Sequence, residues 1–461
     1  MAGNFDADTI AALSTPPGRG GIAVIRISGE KTAAIIRKII EKCPGKIVPR
    51  QTLHSFIIDG GNKKRIDECV MVFFKAPISY TGEDTAEISL HANPFLVEEV
   101  LDIIYKVDEK NIRGALPGEF TYRAFKNGKM DLIQAESVNE LINANSRYFA
   151  HMKFGSLEGG LSRLLEALKQ DLVNLGVRIE TKIEFEEDQF FDEISIAGLL
   201  AEPLKRLDTL LANARFNELL NKGLNVVIVG KVNVGKSSLF NTLLMEERSI
   251  ISAIPGTTRD FIREKIYIDG FPIELTDAAG INRETRDDIE EEGIKRSLEK
   301  VENCDAAIFI LDASTELDNT DKEIYGRIKK KKKLIAVNKI DIKDQTVLDA
   351  VNSYFKREKI VTISVKEHIN IGEIRDFLKD ITGSIKSKET DFTVNQRQKR
   401  ALEELKNVLV RVRQMVKDHS GQVEIIAEEI RRAIEIIGRL MGEVTPDDIL
   451  NKIFSEFCVG K

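Results

Sequence analysis

The residues best suited to chemistry in this sequence form a loop between a strand and a helix. Gly230-x-x-x-x-Gly235-Lys236-Ser237 directly follows the apolar run from Leu224 to Val229, and the helix-forming segment SLFNTLL comes next. Glycines let backbone N–H groups surround phosphates, the lysine ammonium reaches the β- and γ-phosphate oxygens, and the serine hydroxyl binds Mg²⁺. The spacing and its strand–loop–helix setting therefore predict a nucleotide site.

Motifs at the ends of two later strands predict which nucleotide the site binds. ELTDAAG ends a strand with Asp277-x-x-Gly280, whose acid can hold Mg²⁺ through water and whose glycine N–H can reach the γ-phosphate. LIAVNKID ends another strand with Asn338-Lys339-x-Asp341, and this last carboxylate can accept two N–H donors from guanine. Adenine would leave those buried groups unpaired, so the site is expected to select GTP over ATP.

A fourth element, Ser364-Val365-Lys366 in TISVK, follows the next strand, where backbone groups can close over the base. Four elements in this order predict a GTP-binding domain. The predicted GTP contacts are Asn233, Val234, Gly235, Lys236, Ser237, Ser238, Ser252, Ala253, Ile254, Pro255, Gly256, Thr257, Thr258, Asp277, Ala278, Ala279, Gly280, Asn338, Lys339, Asp341, Ser364, Val365 and Lys366.

The hydrolysis step is expected to differ from that of small GTPases. These proteins place a water-orienting Gln after D-x-x-G, whereas this chain has Ile281, which cannot hydrogen-bond. Asn233 in the phosphate loop and the segment SAIPGTTRD could hold a monovalent cation, which would supply the positive charge of an arginine finger. The acids of RDDIEEEGI could position the water, and the residues alone do not choose among them.

The 461 residues correspond to about three domains by length. A hydrophobic content of 42% and a charged content of 31% are typical of a globular protein. The net charge of −6 argues against nonspecific coating of nucleic acid but leaves room for a local basic patch. The start of the sequence does not resemble a secretory signal, no apolar run is long enough to span a bilayer, and the four Cys lack metal-site spacing. We therefore expect a cytoplasmic protein.

Changes of pattern along the chain predict a multidomain α/β + α fold. We expect an N-terminal α+β domain at 1–119, a first helical part at 120–222, a G domain at 223–385 and a second helical part at 386–461. The G domain is expected to be a doubly wound, mainly parallel sheet inserted into one discontinuous helical domain, because neither helical part alone offers its apolar stripe many partners. In the second part, Ile426, Ile430, Ile434 and Ile437 are spaced to share one helix face.

Two charged runs each allow a functional and a structural interpretation. EFEEDQFFDE contains acids that could bind metal, but they lack ligand spacing and favour a solvated helix end or loop. RIKKKKKLIAVNK could be a nuclear signal or an RNA-binding patch. It also precedes a buried strand, where a cationic helix C-terminus is favourable, and this second interpretation is favoured.

Taken together, these motifs resemble one family. The phosphate-loop Asn, GTTRD, the inserted G domain, the N-terminal TPPGRGGIAVIRISG and the terminal FCVGK are similar to the MnmE (TrmE) family of bacterial tRNA-modification GTPases. The resemblance implies a homodimer formed through the N-terminal domains. It also implies that the flavoprotein partner MnmG acts with it to add a carboxymethylaminomethyl or aminomethyl group at C5 of the wobble uridine of certain tRNAs. GTP, Mg²⁺, K⁺ and a tetrahydrofolate one-carbon derivative are the implied cofactors.

The same resemblance assigns roles by motif. It implies Mg²⁺ at Ser237 and Thr258, and K⁺ at Asn233, Ser252, Ile254 and Thr257. It implies Glu290 as the water-orienting acid, with Glu291 as its nearest rival, because it also implies one extra residue in this chain between Gly280 and the acidic run. The implied folate contacts are Arg26, Glu87, Lys129 and Lys461.

Two motifs depart slightly from the family pattern, since DAAG stands for the usual DTAG and Ser-Val-Lys for Ser-Ala-Lys. Cys458 is a candidate nucleophile or proton carrier in the one-carbon chemistry, the alternative being a buried, small apolar side chain. The competing function is a GTP-switched RNA or ribosome assembly factor without small-molecule chemistry. Such a factor would be expected to have an RNA-binding appendage and a basic balance, and we find neither in the sequence.

Overall fold

The computed structural model describes residues 8–144, 146–184, 196, 198–248, 263–277, 304–386, 392–417 and 423–461. The chain divides into two compact units. The first contains residues 1–143, 153–204 and 403–461, and the second contains residues 144–152 and 205–402. The second unit therefore interrupts the sequence of the first.

Twelve strands and fourteen helices are defined in the described part of the chain. The strands are β1 Thr9–Leu13, β2 Gly20–Ser28, β3 Thr52–Ile58, β4 Arg65–Phe74, β5 Thr85–Ala92, β6 Ile112–Gly114, β7 Leu224–Val229, β8 Arg263–Ile268, β9 Phe271–Asp277, β10 Ala306–Asp312, β11 Lys332–Asn338 and β12 Ile360–Thr362. The helices are α1 Thr32–Ile39, α2 Pro94–Lys106, α3 Glu119–Lys126, α4 Leu132–Ile142, α5 Arg147–Leu157, α6 Gly160–Glu184, α7 Ala201–Lys222, α8 Lys236–Arg248, α9 Asn319–Ile328, α10 Gln345–Tyr354, α11 Ile371–Lys386, α12 Gln396–Lys417, α13 Val423–Met441 and α14 Asp447–Ser455.

The first unit contains a six-stranded sheet with the order β3-β4-β5-β2-β1-β6. All neighbouring strands are antiparallel except β1 and β6. Helices α1 and α2 cover one face, where Ile25 and Ile27 of β2 and Ile88 of β5 are buried. Because side chains alternate along a strand, Arg26 and Glu87 occupy the opposite face.

The second unit contains a sheet with the order β12-β11-β10-β7-β9-β8, which is parallel except for the β8–β9 pair. Its strands are apolar on both faces. In β10, Ile308 and Ile310 pack in the core that includes α8 and α11, whereas Phe309 and Leu311 pack in the core that includes α9 and α10. Helices on both faces confirm the predicted doubly wound, mainly parallel sheet.

Long helices complete the first unit, and α6 packs along α13. The buried stripe of α13 includes Ile426, Ile430 and Ile437 as predicted, but Ile434 is only half-buried. Ala433 and Ile436 are buried instead, because a period of 3.6 residues moves the stripe gradually around the helix.

Candidate functional site

The phosphate loop joins β7 to α8 in the second unit and depends on two glycines. Gly230 has a φ of +152°, and a Cβ atom there would lie 2.3 Å from Ile310 O. Gly235 has a φ of +104°, and a Cβ atom there would lie 2.3 Å from Asn338 Nδ2. Only glycine fits both the backbone conformation and these close approaches.

Lys236 lies at the start of α8 with 6% of its surface exposed. Its ammonium donates to Gly230 O at 2.8 Å and to Lys231 O, so the loop carbonyls hold it inside the loop. Burial lowers the pKa of Lys236, while the nearby charge of Asp277 acts in the opposite direction. A polyphosphate would offer the same ammonium a stronger, charged acceptor.

Ser237 and Asp277 are the described part of the predicted Mg²⁺ site. Ser237 Oγ donates to Asp277 Oδ2 at 2.7 Å, which brings the first residues of α8 to the carboxyl end of β9. Asp277 is buried and Ser237 is exposed. A carboxylate and a hydroxyl at one point are oxygen ligands of the kind Mg²⁺ prefers, so these residues fit the ion.

Asn338 connects the phosphate loop to the predicted base-binding loop. Its side chain is 4% exposed, donates through Nδ2 to Val234 O at 2.8 Å and accepts through Oδ1 from Val365 N at 3.0 Å. Both contacted groups belong to predicted GTP-binding residues. Asn338 therefore fixes the spacing between the phosphate loop and the predicted base-binding loop.

The carboxylate predicted to read guanine lies beside the last predicted element. Ser364 Oγ donates to Asp341 Oδ1 at 2.7 Å, and this hydrogen bond is the main reason that the pKa of Asp341 is lowered. Lys339 has a φ of +63° and its ammonium donates to Asp312 Oδ2 at 2.6 Å. Asp341 is thus an ionised acceptor at neutral pH, as selection of guanine requires.

Several predicted site residues are exposed in the structure. Asn233 has a φ of +64°, which presents it at the bend of the phosphate loop, and Ser238 is also exposed. The Lys366 side chain is 82% exposed. Other predicted residues lie outside the described part of the chain: Ser252, Ala253, Ile254, Pro255, Gly256, Thr257, Thr258, Ala278, Ala279, Gly280, Ile281, Glu290 and Glu291.

A second polar site lies on the face of the N-terminal sheet opposite α1 and α2. Arg26 and Glu87 are paired across β2 and β5, and the guanidinium donates to Glu87 Oε1 at 2.8 and 3.0 Å. The Arg26 guanidinium carbon lies 5.0 Å from the Tyr80 ring centroid and 5.7 Å from that of Phe120. The cation is therefore oriented by one carboxylate and two rings.

The C-terminal segment reaches this second site. Ser14 Oγ donates to Gly460 O at 3.0 Å, and Phe120 N donates to Lys461 O at 3.2 Å. Burial, followed by the like charge of Arg26, lowers the pKa of Lys461, so the two cations lie near each other. The segment FCVGK therefore lies beside Ser14 and Phe120 of the same unit.

Two further predicted residues stand apart from this pair. Cys458 is exposed, so the alternative interpretation as a buried apolar side chain is wrong. Lys129 is exposed and donates to Pro77 O at 3.0 Å. No hydrogen bond or ion pair joins Lys129 to Arg26 or Glu87 among the described contacts.

Sequence reasoning missed the residues that support both sites. Tyr80 and Phe120 orient Arg26 but belong to no motif, and the loop between β4 and β5 and helix α3 bring them to it. Lys231 in the phosphate loop lies 2.8 Å from Asp321 and 3.0 Å from Asp318 at the start of α9. Lys231 occupies a position that the loop motif leaves unspecified. The sequence alone therefore did not indicate that it would pair with Asp318 and Asp321.

The described residues contain no helix long and apolar enough to cross a membrane. Within the same ranges, no cluster of three or more His, Cys, Asp or Glu side chains is arranged to hold a metal ion.

The second unit has the architecture and the motif order of a P-loop GTPase. Two family descriptions match the chain: "GTP-binding protein TrmE N-terminus" over residues 9–129 and "MnmE helical domain" over residues 132–458. The chain belongs to the MnmE family.

Full-length relatives support this assignment. Proteins named tRNA modification GTPase MnmE from Thermotoga maritima and Aquifex aeolicus are 38% and 36% identical, each over 98% of this chain and 100% of the relative. The protein of that name from Alkaliphilus metalliredigens is 38% identical over 99% of this chain and 100% of its own length. The crystal structure of Aquifex aeolicus Era bound to GDP and aluminium fluoride is 29% identical over 37% of this chain and 58% of that chain, with a TM-score of 0.28.

Proposed function

We propose that this protein hydrolyses GTP and, together with an MnmG partner, modifies C5 of the wobble uridine of certain tRNAs. The added group would be carboxymethylaminomethyl or aminomethyl. One observation carries the proposal: relatives named tRNA modification GTPase MnmE align over their whole length. The hydrogen bonds that join Ser237 to Asp277, Asn338 to Val234 and Ser364 to Asp341 support it. The protein would act in the cytoplasm as a homodimer.

The domain limits are proposed on the same basis. An N-terminal domain at 1–119 would hold the folate, a helical domain at 120–222 and 386–461 would support it, and a G domain at 223–385 would bind GTP. The family matches over 9–129 and 132–458 support two of these assignments in outline.

Nucleoside mass spectrometry of tRNA from a deletion strain tests the proposed function. We expect the wobble uridines to lose their C5 substituent and to regain it when the gene is restored. Unchanged wobble uridines, together with defective ribosome assembly, would favour the competing assembly-factor function.

The cation requirement is a first testable prediction. Asn233, Ser252, Ile254 and Thr257 would hold K⁺, which would supply positive charge beside the phosphates, and Ser237 and Thr258 would hold Mg²⁺. We expect GTP turnover to fall at least about tenfold when Na⁺ or Cs⁺ replaces K⁺, because Ile281 cannot orient water.

Two variants accompany the cation measurement. Asn233→Ala should lose most of the difference between K⁺ and Na⁺. Glu290→Gln should slow turnover with nearly unchanged GTP affinity, since Glu290 would act only in the transition state. Equal rates in K⁺ and Na⁺ for the unaltered protein would exclude the cation role, and normal turnover of Glu290→Gln would direct attention to Glu291.

The second site is proposed to bind a tetrahydrofolate one-carbon derivative. The pterin ring of a folate presents N–H donors that suit Glu87, and the glutamyl carboxylates of its tail suit basic side chains. Arg26, Lys129 and Lys461 are the proposed basic contacts. The half-buried Glu87 carboxylate, the oriented guanidinium and two neighbouring rings suit a flat polar ligand. Cys458 is proposed to act there as a nucleophile or proton carrier.

A glycine near the C-terminus offers a second prediction. Gly460 has a φ of +93°, and a Cβ atom there would lie 2.1 Å from Leu13 O, so Gly460→Ala must displace Lys461. We expect affinity for 5-formyltetrahydrofolate, measured by calorimetry, to fall by about tenfold, the cost of roughly one charge-assisted hydrogen bond. Val459→Ala, a change at a neighbouring exposed side chain, should bind normally. Normal binding by Gly460→Ala would exclude the segment from the folate site.

A further inference from the structure

The amino-terminal edge of the second sheet carries a dense group of cations. In segments 329–333 and 356–359, eight of nine residues are Lys or Arg, and the ninth is Glu358. These segments lie at the starts of the parallel strands β11 and β12, and Ile335 N donates to Lys359 O at 3.1 Å. The two segments are therefore neighbours. We call residues 329–333, Tyr354 and 356–359 the basic edge.

The fold itself needs only some of these cations. Lys333 is 7% exposed in its side chain, pairs with Glu358 at 3.1 Å and donates to Lys329 O at 2.9 Å. Lys331 donates to Cys304 O at 2.8 Å. These lysines hold the strand ends together, as expected for cations beside a helix C-terminus.

Several other cations of the basic edge are exposed. Helices α9 and α10 end at this edge, and each C-terminus carries about half a negative charge. Of the described acids nearby, Glu358 is already bound by Lys333 and Tyr325, and Asp380 lies 3.9 Å from Lys359. Among the exposed cations are Lys329, Lys330, Lys356, Arg357 and Lys359.

An aromatic side chain interrupts the basic edge. Tyr354 is 48% exposed, and its ring stands nearly perpendicular to Phe355 at 4.8 Å and to Tyr325 at 6.3 Å between centroids. These two rings hold Tyr354 in place while leaving about half of it accessible. A fixed, exposed ring among cations can stack against a nucleobase.

A polar cleft of about 330 Å³ opens beside the same segments. It is lined by Lys331, Lys332, Lys333, Glu358, Phe377, Asp380 and Ile381. Its lysines face a space wide enough for a phosphate group.

The basic edge lies at the opposite end of the strands from the nucleotide site. The phosphate loop, Asp277 and Asn338 follow the carboxyl ends of β7, β9 and β11, whereas the basic edge precedes β11 and β12. A strand of seven residues is roughly 23 Å long. Changes at the basic edge should therefore leave intrinsic GTP hydrolysis intact.

We propose that the basic edge is a docking surface for the tRNA, holding its phosphate backbone through the exposed cations and stacking an unpaired base on Tyr354. The proposal rests on the proposed function for the choice of tRNA. A surface with a large excess of cations beside an exposed ring suits an RNA backbone and a splayed base. A protein partner would require a larger apolar centre than Tyr354 provides on the described surface.

A charge-reversal variant tests the basic edge. We expect Lys329→Glu, Lys330→Glu and Lys356→Glu combined to weaken binding of an unmodified tRNA transcript by more than about tenfold at 100 mM KCl. The slope of log affinity against log salt should decrease by about two to three, because three phosphate contacts are lost. Fluorescence titrations of the full-length protein from 50 to 300 mM KCl measure both quantities.

Matched variants separate docking from general effects of charge. Lys63→Glu, Lys64→Glu and Lys110→Glu combined change the net charge equally at exposed positions of the first unit, and should alter affinity by less than about twofold. Tyr354→Leu should weaken binding about fivefold without changing the salt slope, whereas Tyr354→Phe should bind normally. All variants should hydrolyse GTP normally without RNA, which verifies folding.

Two results would overturn the docking surface: unchanged tRNA affinity of the basic-edge triple variant, or an equal loss in the control triple variant. The proposed function is judged separately by the wobble-uridine measurement on tRNA from the deletion strain. Unchanged wobble uridines in the deletion strain, together with weaker tRNA binding by the basic-edge triple variant, would contradict the proposed function while supporting the docking surface. Loss of the C5 substituent in the deletion strain, together with unchanged tRNA affinity of that variant, would do the reverse.

Discussion

Replacing Asn338 by alanine is expected to lower GTP affinity by more than about 100-fold. The change leaves Val234 O and Val365 N without their buried partner, and each unpaired group costs about 1–3 kcal/mol. These groups border the phosphate and base ends of the site, so both ends should loosen together. Calorimetric titration with GTP gives the affinity, and hydrogen exchange of the Val365 amide reports the local opening.

Two further variants sharpen the Asn338 prediction. Asn338→Asp keeps an acceptor for Val365 N but loses the donor to Val234 O, so a loss close to that of alanine would indicate that the phosphate-loop contact dominates. Asn352→Ala, at an exposed position of α10, should leave affinity unchanged. A GTP affinity within about threefold of normal for Asn338→Ala would contradict the bridging role.

Replacing Glu119 by glutamine is expected to destabilise the N-terminal sheet region by about 3 kcal/mol or more, since it breaks a buried ion cluster. The Glu119 side chain is 1% exposed and accepts from Arg113 at 2.7 and 2.8 Å, from Leu116 N at 2.8 Å and from Arg123 at 2.9 Å. Arg123 is 4% exposed and would lose part of its countercharge. Thermal unfolding combined with hydrogen exchange in β1 and β2 measures the change.

An exposed ion pair in the same unit provides the control. Arg65 donates to Glu41 at 2.7 and 2.9 Å, a geometry like that of Arg113 and Glu119, but its side chain is 53% exposed. Water screens such pairs, so Glu41→Gln should leave the unfolding midpoint almost unchanged. Equal effects of the two substitutions would show that burial does not set the strength of the cluster.

The Glu119 cluster also predicts a pH dependence. Burial alone would raise the pKa of Glu119, but hydrogen bonds from Arg113 and Leu116 N and the charge of Arg123 outweigh it and lower the pKa. A carboxyl with a lowered pKa stabilises the fold above its unfolded pKa of about 4.5, and this contribution is lost as the pH falls through the lowered value. The stability difference between the unaltered protein and Glu119→Gln should therefore shrink in acid.

The G domain was predictable because its strands are continuous apolar runs that end in motif residues. β7, β9 and β11 end at Val229, Asp277 and Asn338, where the sequence places a glycine, an acid and an amide. The apolar pattern predicts that each strand exists, and the motif residue at its end predicts where the strand stops. The side-chain bridge made by Asn338 was not predictable, since it depends on how closely the loops approach in space.

The helical part shows where sequence patterns lose precision. Spacings of three and four residues correctly predicted α13. They placed Ile434 rather than Ile436 on the buried face, because a short pattern fits two adjacent stripes of a helix. In the N-terminal site, Arg26 and Glu87 were predicted from the resemblance to the family. Their pairing follows from a strand register that a single sequence does not reveal, and the placement of Tyr80 beside them follows from the path of the loop between β4 and β5.

The hydrogen bond from Ser14 to Gly460 joins residues 446 positions apart in the chain. A nascent chain emerging at about 5–20 residues per second reaches its second partner roughly 20–90 seconds after the first. During that interval the second unit is synthesised, while β1, which ends next to Ser14, still lacks its contact with Gly460. The N-terminal site therefore gains its C-terminal segment only after the second unit has had time to fold.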